Sequence, residues 1–213
     1  MSTNSRTISK NRLEAFSDGV LAIAITLLIL EIKVPESEQG RLWHDLGQLW
    51  PSYAAYALSF LTIGIMWVNH HYLFELVDRV DHSLIYINLG LLASISFLPF
   101  PTSVMADYLR EGGNNGGAAV ALYGLTMIAV SVTFGMLWNH LRRKPQLLSN
   151  STRDDGAIVA GVRNSFISAG VYIATGLLAF VSPYGALAAY GAIAVLFTFS
   201  RPPGEPLIDE RHT

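Results

Sequence analysis

Residues 12–31 read RLEAFSDGVLAIAITLLILE, and this stretch decides the fold. Its segment from Gly19 to Leu30 carries no charged side chain, and Asp18 and Glu31 bound that segment. A signal peptide also contains an apolar run, but here Asp18 interrupts its start and no small-residue cleavage site follows. We therefore interpret residues 16–33 as a first membrane-spanning helix that belongs to the mature chain.

Four longer uncharged runs follow this helix, and each is long enough to cross a bilayer. They are Leu46 to Phe74, Ser83 to Ala106, Gly112 to Leu141 and Asn164 to Ser200. About 20 apolar residues cross the roughly 30 Å hydrocarbon core, so the last run, with 37 residues, predicts two helices. The pattern predicts an all-α membrane protein with six transmembrane helices, at about residues 16–33, 51–73, 83–106, 118–141, 161–181 and 184–200.

Prolines and glycines predict where these helices break. Ser182-Pro183-Tyr184-Gly185 is the expected turn that divides the long last run, because proline and glycine together favour a turn. Pro99 and Pro101 lie inside the third predicted helix, and proline interrupts the helical hydrogen bonds. We therefore expect a kink there.

The composition excludes several classes of protein. The chain of 213 residues is 51% hydrophobic and only 14% charged, whereas a soluble domain is about 25% charged. Its net charge of −2 offers no basic surface for nucleic acid. It contains no cysteine and no nucleotide-binding, hydrolase or metalloprotease motif. We expect neither an enzyme nor a bound cofactor.

The distribution of basic residues predicts the orientation of the chain. If the N-terminus is cytoplasmic, eleven of the 14 lysines and arginines lie on that side, and only Lys33, Arg41 and Arg110 lie on the other. Such a bias in short loops marks the cytoplasmic side, so both termini are predicted to be cytoplasmic. We divide the chain into a disordered start (1–11), a six-helix membrane domain (12–200) and a disordered tail (201–213).

Polar side chains at the ends of the first two helices are predicted to meet. The second helix runs back toward the cytoplasm and ends with Trp67, Asn69, His70 and His71, in the same leaflet as Asp18. We expect Asp18 to accept hydrogen bonds from Trp67, Asn69 or a histidine in a buried contact. Ordinary interfacial polarity would explain the same residues. Adjacent histidines point about 100° apart and no third ligand has suitable spacing, so no metal site is predicted.

The first helix carries a second face, directed away from Asp18. At 100° per residue, that face holds Arg12, Gly19, Ile23, Thr26, Leu27 and Leu30. Because nearly the whole helix is apolar, only the position of Asp18 sets the phase. We expect this face to be free to line another structure.

The motif R-x-x-x-F-S-D, formed by Arg12, Phe16, Ser17 and Asp18, resembles the signature of the transmembrane protein 175 family. These are the endosomal and lysosomal potassium channels of animals and their prokaryotic relatives. The end of the second helix, with Trp67 and the two histidines, is similar to that family as well. Animal members carry two six-span repeats in one chain, whereas this sequence has one and is similar to the bacterial form.

The resemblance implies a homotetramer of identical subunits in the plasma membrane of a prokaryote, with a central pore lined by the first helix. It implies a potassium-selective, voltage-independent leak channel in which hydrophobic rings replace a T-V-G-Y-G filter and K⁺ is the only ion bound. By position the constriction falls on Ile23, Leu27 and Leu30, with Thr26 as an adjacent polar ring. The resemblance also assigns Arg12, Phe16, Ser17 and Asp18 to a buried network, for which we expect the partners Trp67, Asn69, His70 and His71.

Two alternatives to a channel stay open at this point. A proton- or cation-coupled secondary transporter would need ionisable residues near the middle of the membrane, where the first helix offers only Thr26. A non-conducting membrane scaffold would pack the first helix against other helices instead of water. The sequence favours a pore over a transporter and leaves the scaffold open.

Overall fold

The computed structural model describes residues 9–111, 113–151 and 154–199, and this part of the chain is helical. Its one β-type pairing is an isolated antiparallel bridge between Val77 and Leu148. The α-helices are α1 (Lys10–Leu27), α2 (Leu42–Gln48), α3 (Trp50–Glu75), α4 (His82–Ser96), α5 (Pro99–Tyr108), α6 (Gly113–Arg143), α7 (Asp155–Leu178) and α8 (Pro183–Phe199).

Within the described residues, five helical segments are long and apolar enough to span a membrane. They are Lys10–Glu31, Trp50–Glu75, His82–Tyr108, Gly113–Arg143 and Asp155–Leu178. These segments confirm an all-helical membrane protein. The sixth predicted span corresponds to α8, which has 17 residues and a length of roughly 25 Å. Its crossing stays a prediction.

The breaks between helices follow the prolines. The chain leaves α7 at Leu178 and begins α8 at Pro183, so the expected turn is present. The third predicted span is divided into two helices. α4 ends just before Phe97, and α5 begins just after Leu98. Proline at the first position of α5 needs no hydrogen bond from its nitrogen, which explains why the new helix begins there.

The first helix differs from its predicted bounds at both ends. It begins at Lys10, because lysine and glutamate continue a helix well and Lys10 pairs with Glu14 at 3.8 Å. Residues 1–8 of the predicted disordered start, and the whole tail 201–213, lie outside the described residues. Beyond Leu27 the helix tightens into a 3₁₀ turn, Leu28–Glu31.

The fourth span begins at Gly113, five residues before its predicted start at residue 118. A glycine-rich stretch of this kind favours a flexible linker, but Gly113, Gly116 and Gly117 belong to α6. A Cβ at Gly117 would lie 3.0 Å from the carbonyl oxygen of Ala179, so glycine allows α6 to approach the end of α7 closely. Glycine here serves packing, and sequence alone does not distinguish that from flexibility.

The helices pack around α6, whose most extensive partner is α7. The first helix lies on the other side of the bundle, against α3 and α4. At one end of the bundle Lys33 forms an ion pair with Asp107 at 2.9 Å, which joins the segment after α1 to α5. At the opposite end the Val77–Leu148 bridge joins the α3–α4 and α6–α7 connections. This arrangement leaves one face of α1 uncovered.

A cluster of charges fixes the start of α4 to the end of α6. The carboxylate of Asp81 accepts hydrogen bonds from the backbone N–H of Leu84 at 2.8 Å, from Lys144 Nζ at 2.7 Å and from His140 Nε2 at 3.0 Å. Partial burial opposes ionisation of Asp81, but the bonds from Lys144, Leu84 and His140 outweigh it and lower its pKa to about 2.

This cluster predicts an acid-sensitive contribution to stability. The folded-state pKa of Asp81 lies below its ordinary value of 3.8, so its contribution is complete above pH 5 and is lost as the pH falls toward 2. After allowance for solvent screening, the contribution of Asp81 to the free energy of unfolding is roughly 1 kcal/mol. In thermal unfolding of detergent-solubilised protein, Asp81→Asn should lower the melting temperature at pH 7. Between pH 4 and 2 the melting temperature of this variant should fall less than that of the parent. Asp78→Asn, in the exposed loop, is the control and should match the parent.

Candidate functional site

The first helix presents one buried stripe and one open face. The stripe consists of Leu13, Ser17, Leu21, Ala24 and Leu28, each at most 4% exposed. These residues recur every three or four positions, as expected for a helix that packs along one side. Packing of this stripe on α3 and α4 therefore determines the direction in which the other side chains of α1 point.

The open face contains the residues assigned to the constriction. Ile23 is 61% exposed, Leu27 is 43% exposed and Leu30 is 70% exposed in the single chain. Leu30 lies in the 3₁₀ turn, where three residues complete one turn, so it stays aligned with Leu27. The structure thus places all three on one surface of the subunit, together with Thr26.

The Thr26 hydroxyl has a defined polarity. Its Oγ1 lies 2.9 Å from the carbonyl oxygens of both Ala22 and Ile23. The proton is donated to the helix's own backbone, which leaves the oxygen lone pairs free on the open face. This side chain can therefore accept a hydrogen bond from water or coordinate a cation.

Behind the open face, a buried chain of hydrogen bonds joins three helices. His70 Nε2 lies 2.9 Å from Asn88 Oδ1, Asn88 Nδ2 donates to Ser17 Oγ at 2.9 Å, and Ser17 donates to the carbonyl of Leu13 at 2.9 Å. The amide oxygen accepts only, so His70 Nε2 must carry a proton. Ser17, His70 and Asn88 are each at most 2% exposed. The chain holds α1, α3 and α4 in one relative position.

Asp18 pairs with a residue from the expected set but lies on the surface. Trp67 Nε1 donates to Asp18 Oδ1 at 3.0 Å. The Trp67 ring stacks on His71, and His71 lies 3.4 Å from Glu75. The expected burial of this contact is wrong for the single chain: Asp18 is exposed and Trp67 is 46% exposed, because none of the described helices covers this side of α1.

The remaining predicted residues are divided among different surfaces. Phe16 is 53% exposed and Arg12 is exposed, both on the open side of α1, so neither belongs to the buried chain of bonds. Asn69 lies on another side of α3 and lines a cavity against α6 and α7. Sequence reasoning therefore grouped side chains that share a leaflet but point in different directions.

Asn88 is the residue that the sequence analysis missed. It is the central member of the buried chain and lies in α4, inside the uncharged run from Ser83 to Ala106. A single asparagine within an apolar span is a signal that could have identified it, because a polar group at that depth needs a partner. Within the described residues, no group of three His, Asp or Glu side chains is placed to hold a metal ion.

Comparison with known proteins identifies the family. Residues 12–99 match the family model described as endosomal/lysosomal potassium channel TMEM175. A potassium channel of Streptomyces collinus is 49% identical over 193 residues, covering 90% of this chain and 93% of that protein. The Gallus gallus endosomal/lysosomal proton channel TMEM175 is 34% identical over 161 residues, which is 71% of this chain but 32% of the animal protein.

A solved structure shows the same fold. The crystal structure of a lysosomal potassium-selective channel TMEM175 homolog from Chamaesiphon minutus superposes with a TM-score of 0.79 and 38% sequence identity, covering 89% of this chain and 96% of that chain. The named relatives are ion channels, and none of these names describes an enzyme. Identity of this extent along nearly the full length of bacterial relatives shows that the chain belongs to the TMEM175 family of ion channels.

Proposed function

We propose that this chain is a potassium-selective, leak-like channel whose pore forms when four copies bring their α1 faces together. The observation that carries the proposal is the open face of α1, where the exposed Ile23, Leu27 and Leu30 lie beside the free lone pairs of Thr26. A single subunit encloses no pore with this face. The relatives named potassium channels support the choice of ion.

An apolar ring can select potassium through the cost of removing water. A ring of Ile23 side chains offers no ligand that replaces the hydration shell, so an ion must pass while partly dehydrated. Sodium holds its water more tightly than potassium, so its partial dehydration costs more free energy. The Thr26 hydroxyls, one helical turn further along, would offer oxygen ligands to the partly dehydrated ion. This gives K⁺ preference without a carbonyl filter.

The proposed topology has both termini in the cytoplasm of a prokaryotic cell, with six crossings of the plasma membrane. Arg79, Arg142, Arg143 and Lys144 lie at the bundle end where α1 starts, which supports a cytoplasmic location for that end. Within the described helices no repeated series of arginines resembles a voltage sensor, which agrees with a voltage-independent conductance.

The test is current through purified protein in planar bilayers under a K⁺/Na⁺ gradient. We expect a reversal potential near that of potassium. We also expect a conductance that does not change with voltage. No current from a folded oligomer would favour a scaffold. A flux that requires a second ion gradient and saturates at low rate would favour a coupled transporter. Either outcome would overturn the channel proposal for this chain.

The exposed Asp18–Trp67 pair predicts a role in assembly. Both side chains are exposed in the single chain, so we expect neighbouring subunits to cover them in the assembly. Asp18→Ala leaves the Trp67 indole N–H without its acceptor, at a cost of roughly 1–3 kcal/mol once it is covered. Light scattering after gel filtration should show that the Asp18→Ala tetramer dissociates at a higher protein concentration than the parent tetramer does. Asp78→Ala is the matched control, and a normal tetramer with normal current from Asp18→Ala would contradict the prediction.

A further inference from the structure

A second polar region lies inside the subunit, away from α1. A partly open cavity of about 160 Å³ is lined by α3, α6, α7 and α8, and no residue of α1 lines it. It extends from Asn69, roughly 9 Å from the end of α3, toward Thr62 in the middle of that helix. The cavity is therefore separate from the proposed pore and lies within the membrane-spanning part of the bundle.

Four asparagine and serine side chains line this cavity and have no hydrogen-bond partner among the described residues. They are Asn69, Ser131, Asn164 and Ser168; the described part of the chain supplies no hydrogen bond to any of their side chains. Two other hydroxyls of the wall bond to the backbone of their own helix: Ser165 donates to the carbonyl of Gly161 and Thr62 donates to that of Leu58. Ser131 is 7% exposed, Asn69 and Ser168 are partly buried, and Asn164 is exposed, so the four side chains lie between the inner wall of the cavity and its mouth.

Such groups are costly at this depth. The hydrocarbon core contains no water to bond them, and an unpaired amide or hydroxyl costs several kcal/mol there. Two amides and two hydroxyls that all face the same space indicate that a polar occupant completes their hydrogen bonds. The occupant must donate as well as accept, because an amide presents both kinds of atom.

The rest of the wall defines the size and charge of the occupant. Met66, Met127, Phe134 and Trp138 supply apolar and aromatic surface, and none of the described Asp, Glu, Lys or Arg residues lines the cavity. A charged headgroup would find no counter-ion. A cavity of about 150 Å³ accommodates a benzene ring, so this one accepts a molecule of that size. Phe197, 38% exposed, and the exposed Asn164 lie at the rim, where an amphiphile would enter from the lipid.

We propose that this cavity is a binding site for a small uncharged amphiphile, an aromatic alcohol or amide, that enters from the bilayer. The aromatic part contacts Trp138, Phe134 and the two methionines, while the hydroxyl or amide bonds to Asn69 and Ser131. Gly161 allows this arrangement, because a Cβ at that position would collide with the Trp138 indole. The close fit holds the indole as one wall of the site.

Trp138 provides the readout for a direct binding test. The purified full-length chain in detergent is titrated with 4-bromobenzyl alcohol, whose bromine quenches tryptophan fluorescence on contact. We expect a saturable component of quenching that disappears in Trp138→Phe, although the other three tryptophans remain. Quenching that rises linearly with concentration in the parent would reflect partitioning into the micelle alone and would overturn the proposal.

Two neighbouring positions on α7 separate filling of the cavity from a general effect of substitution. Ser168 faces the cavity, whereas the adjacent Ile167 is 57% exposed on the outside of the helix. Ser168→Phe should abolish the saturable component and Ile167→Phe should retain it, provided that both elute as the parent oligomer. Equal binding to both variants would overturn the proposal. If Ser168→Phe fails to fold, Ser131→Val gives the same comparison with a smaller change.

The chemical class of the occupant is tested by removing its hydroxyl group. We expect 4-bromotoluene to bind about tenfold more weakly than the alcohol, since it leaves the amide and hydroxyl groups unpaired. Asn69→Leu should narrow this difference by weakening the alcohol alone. Equal affinity of the alcohol and the hydrocarbon in the parent chain would show that the polar groups are not part of the site. This binding assay requires no ion current, so its result is independent of the proposed channel function.

Discussion

Ile23→Asn should convert the proposed potassium-selective pore into one that passes sodium nearly as well. Asparagine places a polar amide where the ring formed by the Ile23 side chains of the four subunits excludes water. An ion then no longer needs to lose part of its hydration shell. We expect the K⁺ over Na⁺ preference to fall by roughly tenfold or more. In planar bilayers a tenfold loss under an opposing K⁺/Na⁺ gradient shifts the reversal potential by about 59 mV, and the conductance should rise.

The control for this variant is an isoleucine with similar exposure on another helix. Ile173 lies on α7 and is 50% exposed, compared with 61% for Ile23. Ile173→Asn introduces the same amide at an exposed position outside the α1 face and should leave the reversal potential unchanged. If Ile23→Asn keeps the parent's reversal potential and conductance, Ile23 is not part of the constriction, and Leu27 and Leu30 become the next positions to substitute.

Asn88→Leu should be the most destabilising single change in the buried chain of hydrogen bonds. The leucine fits an apolar span but leaves His70 Nε2 and Ser17 Oγ without Asn88, and both side chains are buried. Leaving the buried His70 N–H unpaired costs roughly 1–3 kcal/mol, and Ser17 keeps only the hydrogen bond that it donates to the carbonyl of Leu13. Thermal unfolding in detergent should show a clearly lowered midpoint, and α1 should lose its fixed position relative to α3 and α4.

Two companion variants distinguish the network from general damage to α4. Ser94→Ala removes a hydroxyl from the same helix, where it bonds only to its own backbone at Gly90, and should change stability little. His70→Leu combined with Asn88→Leu removes both members of one bond, so the double variant should cost less than the sum of the single variants. Additive losses would show that the His70–Asn88 bond contributes no coupling energy.

The helical segments of the membrane were predictable because their signals are local. Length, absence of charge and the prolines near residues 99 and 183 determine where a helix can cross and where it must break. The residues of α1 that share a face with Ile23 were also predictable, since helical periodicity alone sets them. The early start of α1 at Lys10 and the helical glycines of α6 were not, because polar or flexible residues join a helix when packing or water outside the membrane permits it.

The partners of each polar side chain depend on more than periodicity. Asp18 and Trp67 were expected to meet, and they do, but their exposure depends on which helices cover α1. Asn69 shares a leaflet with Asp18, but it lines the cavity between α3, α6, α7 and α8, whereas Asp18 lies on the surface. Asn88 of α4 links Ser17 to His70 by bonding to both side chains. Rotation and crossing of helices, which the local pattern leaves open, decide these contacts.

The sequence by itself determined the class of the protein: an apolar helical membrane domain, the motif of the first helix, and the face on which Ile23, Thr26, Leu27 and Leu30 lie. These properties follow from hydrophobicity and from the 100° helical step, both of which are local. Only the tertiary structure decided that this face stays uncovered, that Asn88 joins α1 to α3, and that unpartnered amides face a separate cavity. Those features arise where helices distant in sequence pack together, and packing depends on side-chain shape across elements rather than on the order of residues within one.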